Sequence, residues 1–151
     1  MRDVLRKLAL ALTIAGILGV SLVATAEAND GAIAHRKAVM AAIGGHMKAM
    51  AAIVKGQVPF KDDLKGHAHA MSELAKITGK VFPEGSGSGD TRAAAAIWEK
   101  PDEFKEVVVQ FQTASADLAK AAESGDMSAF GAKFGGVGKS CKACHSDFRS
   151  K

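Results

Sequence analysis

The 151-residue sequence predicts an all-α protein, a bundle of four helices, and three observations carry that prediction. Apolar residues recur at alternating steps of three and four in four separate segments, the period of an α-helix turning one face to a core. No segment alternates with the period of two that a half-buried strand requires. Proline occurs only three times, and each one borders a striped segment rather than interrupting it.

The first stripe runs Ile33, Arg36, Met40, Ile43, Met47, Met50, Val54. The second runs Phe60, Leu64, His67, Met71, Leu74, Thr78, Val81; Pro59 and the acidic pair Asp62–Asp63 suit its start, and Gly79 followed by Pro83 its end. "PEGSGSGDTRAAAAIWEK" comes next, a Gly/Ser stretch closing on a short helical "AAAAIW". It is too long for a tight hairpin and reads as a crossover that Trp98 pins to the core. The third stripe is Phe104, Val107, Phe111, Ala114, Leu118, opened by Pro101 at a first helical position with Asp102 and Glu103 favoured by the helix dipole. "SGD", Ser124 to Asp126, ends that helix on a glycine and caps the next with Asp126. The fourth stripe is Met127, Phe130, Phe134, Val137, Cys141, Cys144, Phe148. Short first and third connections around one long crossover make the helices antiparallel neighbours.

Ahead of the bundle stands "MRDVLRKLALALTIAGILGVSLVATAEA", residues 1–28. Arg2, Arg6 and Lys7 form a basic start, Leu8 to Val23 an almost unbroken apolar run, and Ala26 and Ala28 a small-residue cleavage pattern. The run is short for a membrane span of about 20 residues. It reads as a removed signal peptide, leaving residues 29–151 as one exported domain with no stable membrane association. Without the leader the chain has 17 Lys and Arg against 14 Asp and Glu. That balance is spread evenly, with no basic run or interleaved aromatics, and it excludes a nucleic-acid footprint.

The chemistry concentrates in "SCKACHSDFR". The only two cysteines, Cys141 and Cys144, stand three apart, with His145 directly after the second. A thioredoxin-like redox pair should open a helix after a strand, and no strand pattern precedes Cys141. Zinc needs four ligands, and His35, His46, His67 and His69 offer no matching second half-site. C-x-x-C-H as a haem attachment site needs nothing more: both thiols add to the porphyrin vinyls as thioethers, and His145 reaches the iron from the same helical face. Export agrees, because covalent haem is installed outside the cytoplasm. One covalently attached haem c is therefore the expected cofactor.

With those residues the chain resembles the cytochrome c′ family, the class II c-type cytochromes. "AFGAKFGGVGKSCKACHSDFRSK" is similar to the family's haem-bearing C-terminal helix, "HRKAVMAAIGGHMKAMAAIVKGQVPF" to its first helix and turn, and "DTRAAAAIW" to its crossover. The resemblance implies a left-handed antiparallel four-helix bundle with haem between the helices. It also implies roles for four residues. Arg36, placed on the core face where an unpaired guanidinium is costly, would reach a haem propionate, against the plainer reading that it snorkels to the bundle end. Met40, one turn on, occupies the distal position, where high-spin members carry a bulky non-ligating residue and a low-spin branch carries a ligating methionine. Arg149 matches the basic residue of the proximal pocket, and Phe148 stands where a tyrosine is common. Many members pair through their first two helices, so the resemblance admits a homodimer.

The sequence reading takes His145 as proximal and Met40 as distal ligand of a periplasmic electron carrier, not an enzyme, that docks redox proteins transiently. The alternative is a five-coordinate high-spin protein binding NO or CO. A peroxidase is the weakest reading, since no distal His and Arg pair is evident. His67 is read as a hydrogen-bonded core histidine and as the one competitor of Met40 for iron. Gly44 and Gly45, costly in a helix by about 1 kcal/mol each, suggest close approach to haem or a neighbouring helix. Lys133, Lys139 and Lys142 read as a solvated face, with a docking patch as the sharper option.

Overall fold

The computed structural model describes residues 29–151, so the leader-like segment and its cleavage site lie outside the described residues. Four long helices make the bundle: α1 (Asn29–Val54), α2 (Asp63–Thr78), α4 (Pro101–Glu123) and α5 (Met127–Asp147). A fifth, α3 (Ala96–Glu99), is a single turn within the crossover. No strand forms among the described residues; one isolated bridge joins Ala93 to Arg149.

The punctuation works as the residue types dictate. Asp62 stands at the N-cap position of α2 but its side chain makes no cap hydrogen bond, and Asp63 lies in the first turn, where the helix dipole favours its charge. The helix tightens into a 3₁₀ turn over Gly79–Val81 before Pro83. Pro101 opens α4, where its missing N–H costs nothing. Between α4 and α5, Gly125 takes the left-handed φ of +69°. Asp126 Oδ1 then accepts hydrogen bonds from the backbone N–H of Ser128 (2.8 Å) and Ala129 (3.1 Å), satisfying two orphan donors of α5.

The main core draws on all four long helices: Val39, Ile43, Met50 and Ile53 from α1; Leu64, Ala68, Met71 and Ala75 from α2; Phe111, Leu118 and Ala119 from α4; Phe130 and Val137 from α5. Burying each large side chain among these contributes on the order of 1.5–3 kcal/mol. A second cluster, Ile97, Phe104, Val108 and Phe148, closes the end of the bundle under the crossover. Edge-to-face contacts at 5.0 and 5.2 Å set Phe104 between Phe82 and Phe148.

The stripes differ from the expected ones in phase. Val39, Ile53, Ala68, Ala75, Val108, Ser115 and Ala119 are buried, while Met40, Met47, Leu74, Val107 and Phe134 are half-buried. Phe60, expected in the second stripe, is 57% exposed. It precedes the helix, in the turn before Asp62, so the helical period does not reach it. Trp98 does hold the crossover, though half-buried: it lies over Gly87, where a Cβ would come within 2.7 Å of the indole. Glycine is required there for close approach rather than for backbone freedom.

Candidate functional site

The last turns of α5 carry the two thiols. Cys141 packs against the main core cluster and Cys144 against the second, so the pair spans the junction between them. Both are free and half-buried. Burial pushes the Cys141 thiol up, and burial, Cys141 and Asp147 together push Cys144 up to about 11. Both thiols are therefore held toward the neutral form in the metal-free chain. Among the described residues no group of three or more His, Cys, Asp or Glu gathers to hold a metal ion.

His145 follows, exposed on the surface of α5. Partial burial of its ring lowers its pKa, and the nearby guanidinium groups of Arg149 and Arg92 lower it further. The imidazole is thus biased toward the neutral form that a metal ligand needs. Two protonated thiols one helical turn apart beside a neutral imidazole form the donor set for covalent c-type attachment, and the chain's own residues fit it.

The crossover secures this end. Ala94 N–H donates to the Phe148 carbonyl (3.1 Å), and Ser150 N–H to the Arg92 carbonyl (2.9 Å). Arg92 returns Nε and Nη2 to the Ser150 carbonyl at 3.1 and 3.0 Å. The residues just after His145 are therefore bonded to the crossover, with Phe148 buried in the second cluster. Arg149 sits at the bridge itself, exposed.

Arg36 is only 4% exposed. It does not snorkel. Its Nη1 donates to Ser86 Oγ at 2.8 Å and more weakly to the Val81 carbonyl at 3.4 Å. Nη2 donates to the Ser86 carbonyl at 2.8 Å and to Thr91 Oγ1 at 2.7 Å. Phe82 stacks under the guanidinium at 5.0 Å. These partners take both terminal nitrogens, leaving Nε–H as the donor outside the clasp. Thr91 also accepts from the Ala93 N–H at 3.1 Å, so the clasp continues into the strand-like segment that meets Phe148 and Arg149. Sequence reasoning placed Arg36 in the interior but missed Ser86, Thr91 and Arg92. Ser86, fully buried in a Gly/Ser stretch, gives no signal in composition.

Met40 is half-buried one turn from Arg36 and packs against the main core cluster. Its neighbours on that face of α1 are Val39, Ile43 and Gly44. A Cβ built on Gly44 or Gly45 meets nothing within 4 Å, so neither glycine serves close packing against a neighbouring helix. His67 is hydrogen-bonded as expected, but to another histidine: its Nδ1 lies 2.9 Å from His46 Nδ1. Burial and the neighbouring His67 lower the His46 pKa. Lys133 pairs with Asp117 at 2.8 Å on the solvent side.

The family model described as Cytochrome C' matches residues 31–149. A curated relative, the cytochrome c' of Pararhodospirillum photometricum, is 41% identical over 118 residues, 78% of this chain and 94% of the relative. Among solved structures, the nitric oxide complex of a mutant cytochrome c prime from Alcaligenes xylosoxidans superposes with a TM-score of 0.75 at 32% identity, covering 82% of this chain and 97% of that one. A carbon monoxide-bound variant from the same organism gives a TM-score of 0.76 at 31% identity with the same coverage. The four-helix bundle, the attachment motif and these likenesses agree: the chain belongs to the cytochrome c′ family, whose members carry one covalently bound haem c.

Proposed function

We propose that this protein is a periplasmic haem c protein that takes NO or CO on the distal side, with His145 as the one protein ligand to iron. Cys141 and Cys144 would hold the porphyrin as thioethers, and Arg149 would supply positive charge on the proximal side. Bound there, the haem supplies an iron that accepts a diatomic ligand or an electron. The observation that carries the reading is the apolar distal face of α1. Arg36 spends its terminal nitrogens on the crossover, which leaves Met40 flanked by Val39 and Ile43, all leaning on the main core. Such a wall offers no hydrogen bond to an anion and admits an uncharged diatomic. The likeness to nitric oxide and carbon monoxide forms of a related protein supports the same choice. Arg36 Nε–H remains to reach a propionate.

Met40 itself favours a second reading. A soft thioether at the distal position would give a six-coordinate His145/Met40 electron carrier, docking redox proteins over small, transient interfaces. Met40→Ala separates the two. As a steric wall, Met40 leaves the spin state unchanged when removed, and NO and CO bind faster. As a ligand, its removal converts a low-spin protein to a high-spin one.

Export and pairing belong to the same reading. Residues 1–28 would direct the chain to the periplasm, checked by N-terminal sequencing of the exported protein, which should begin near Asn29. Only 22% of the most apolar stretch of α1 is buried, and its exposed face carries Ala34, Ala38, Ala41 and Gly45. This supports a homodimer through α1, checked by sedimentation.

A further inference from the structure

Away from Cys141, Cys144 and His145, α1 and α2 bring two imidazoles together. His46 Nδ1 and His67 Nδ1 lie 2.9 Å apart, one ring donating and the other accepting, across a sequence separation of 21 residues. The ring planes cross at 66°, with centroids 5.2 Å apart. Both residues are half-buried, reachable by solvent yet fixed by their helices.

We propose that His46 and His67 form a second metal site, separate from the haem, for an imidazole-preferring divalent transition ion, with Cu(II) bound most strongly. The facing of two ring nitrogens from two helices carries the inference. With metal–nitrogen bonds of about 2.0–2.1 Å, two cis ligands stand about 2.9 Å apart at a right angle and about 3.3 Å apart in a tetrahedron. The observed distance is that of the hydrogen bond itself and lies within reach of either geometry, so the preference for Cu(II) rests on the order of divalent-ion affinities for imidazole. The helices need not move, but the ion stands about 1.5 Å off the line between the nitrogens, and each ring turns about its χ2 to aim its lone pair there.

Protons balance without an acid or base. Each neutral ring keeps one proton, and the ring that donated through Nδ1 carries it on Nε2 once the ion is bound. Water must complete the coordination, since no third His, Cys, Asp or Glu joins the pair among the described residues. Both histidines are half-buried rather than enclosed, so solvent reaches the pair. An open site with two protein ligands holds its ion exchangeably, in contrast to a closed structural site.

The test is Cu(II) titration of the haem-loaded protein, followed by calorimetry and by electron paramagnetic resonance of the copper. One equivalent should bind with superhyperfine structure from two nitrogens, and the haem absorption spectrum should not change. His46→Gln and His67→Gln should each weaken binding by roughly tenfold or more, as loss of one of two protein ligands demands. The double variant His35→Gln/His69→Gln should bind like the parent. Copper signals from fewer than two nitrogens, or affinity undiminished in both single variants, would overturn the proposal. The nitrogen count is read on the unaltered protein, so the test survives even if a variant folds poorly.

Discussion

In the function proposed above, the C-terminal end of α5 and the inner face of α1 would line the same cofactor, and they are specified in opposite ways. Around Cys141, Cys144 and His145 the chemistry fixes residue type and spacing, and the local chain is tied down by the Arg92–Ser150 and Ala94–Phe148 hydrogen bonds. Along α1, Met40 is half-buried and apolar, and its side chain serves equally as wall or ligand. Covalent attachment tolerates no substitute for cysteine. A distal wall tolerates many side chains, so its identity says less. Arg36 links the two regions, since its clasp on Ser86 and Thr91 continues into the segment that meets Phe148 and Arg149.

The contrast can be broken first at its rigid end. Replacing Cys141 and Cys144 by alanine should abolish covalent haem. Acid–acetone extraction followed by mass spectrometry should then give the bare polypeptide, where the parent retains one haem. A haem-free parent made with the attachment machinery present would remove the distinction altogether.

Arg36→Leu probes the link. It deletes several hydrogen bonds made by a buried charged group and takes the Arg36 donor from the buried Ser86 carbonyl, costing about 3 kcal/mol in denaturant unfolding. Hydrogen exchange should quicken at Ala94 and Ser150, far along the chain from the substitution. Loss of stability with unchanged exchange there would confine Arg36 to a local role. Asp126→Ala, at the start of α5, should cost about 1 kcal/mol by removing the cap on Ser128 and Ala129, with no effect on the haem spectrum.

The smallest effect lies at the opposite edge of the bundle. Hydrogen bonds from Lys65 and His69 hold the Glu123 carboxyl below its usual range. A depressed carboxylate pKa adds stability that is complete above the unfolded-state value and fades as pH falls through the folded-state value. Glu123→Gln should therefore lower stability slightly at neutral pH and match the parent in strong acid. The side chains are exposed, so salt should shrink the difference. A difference that grows in acid would reverse the assigned sign.

The fold was legible because helical period, capping residues and proline positions all agree, down to Pro101 at the head of α4 and the Gly125–Asp126 junction. Phase was less legible. Ala68, Ala75 and Ala119 are buried, yet alanine suits either face of a helix. Phe60 misled because periodicity was extended one turn ahead of the cap. The attachment motif was fully written in ten residues. The partners of Arg36 were not, because Ser86 and Thr91 lie 50 and 55 residues on, in a crossover whose path no local pattern records; the His46–His67 pair was not, because the phase of α1 against α2 decides which side chains meet.

The absorption spectrum of the dithionite-reduced protein, taken before and immediately after CO is added, tests the central claim most directly. A five-coordinate iron behind Met40 predicts a broad high-spin ferrous spectrum that converts at once to the CO form. Sharp low-spin α and β bands, unchanged by CO, would contradict it and establish Met40 as the sixth ligand of an electron carrier.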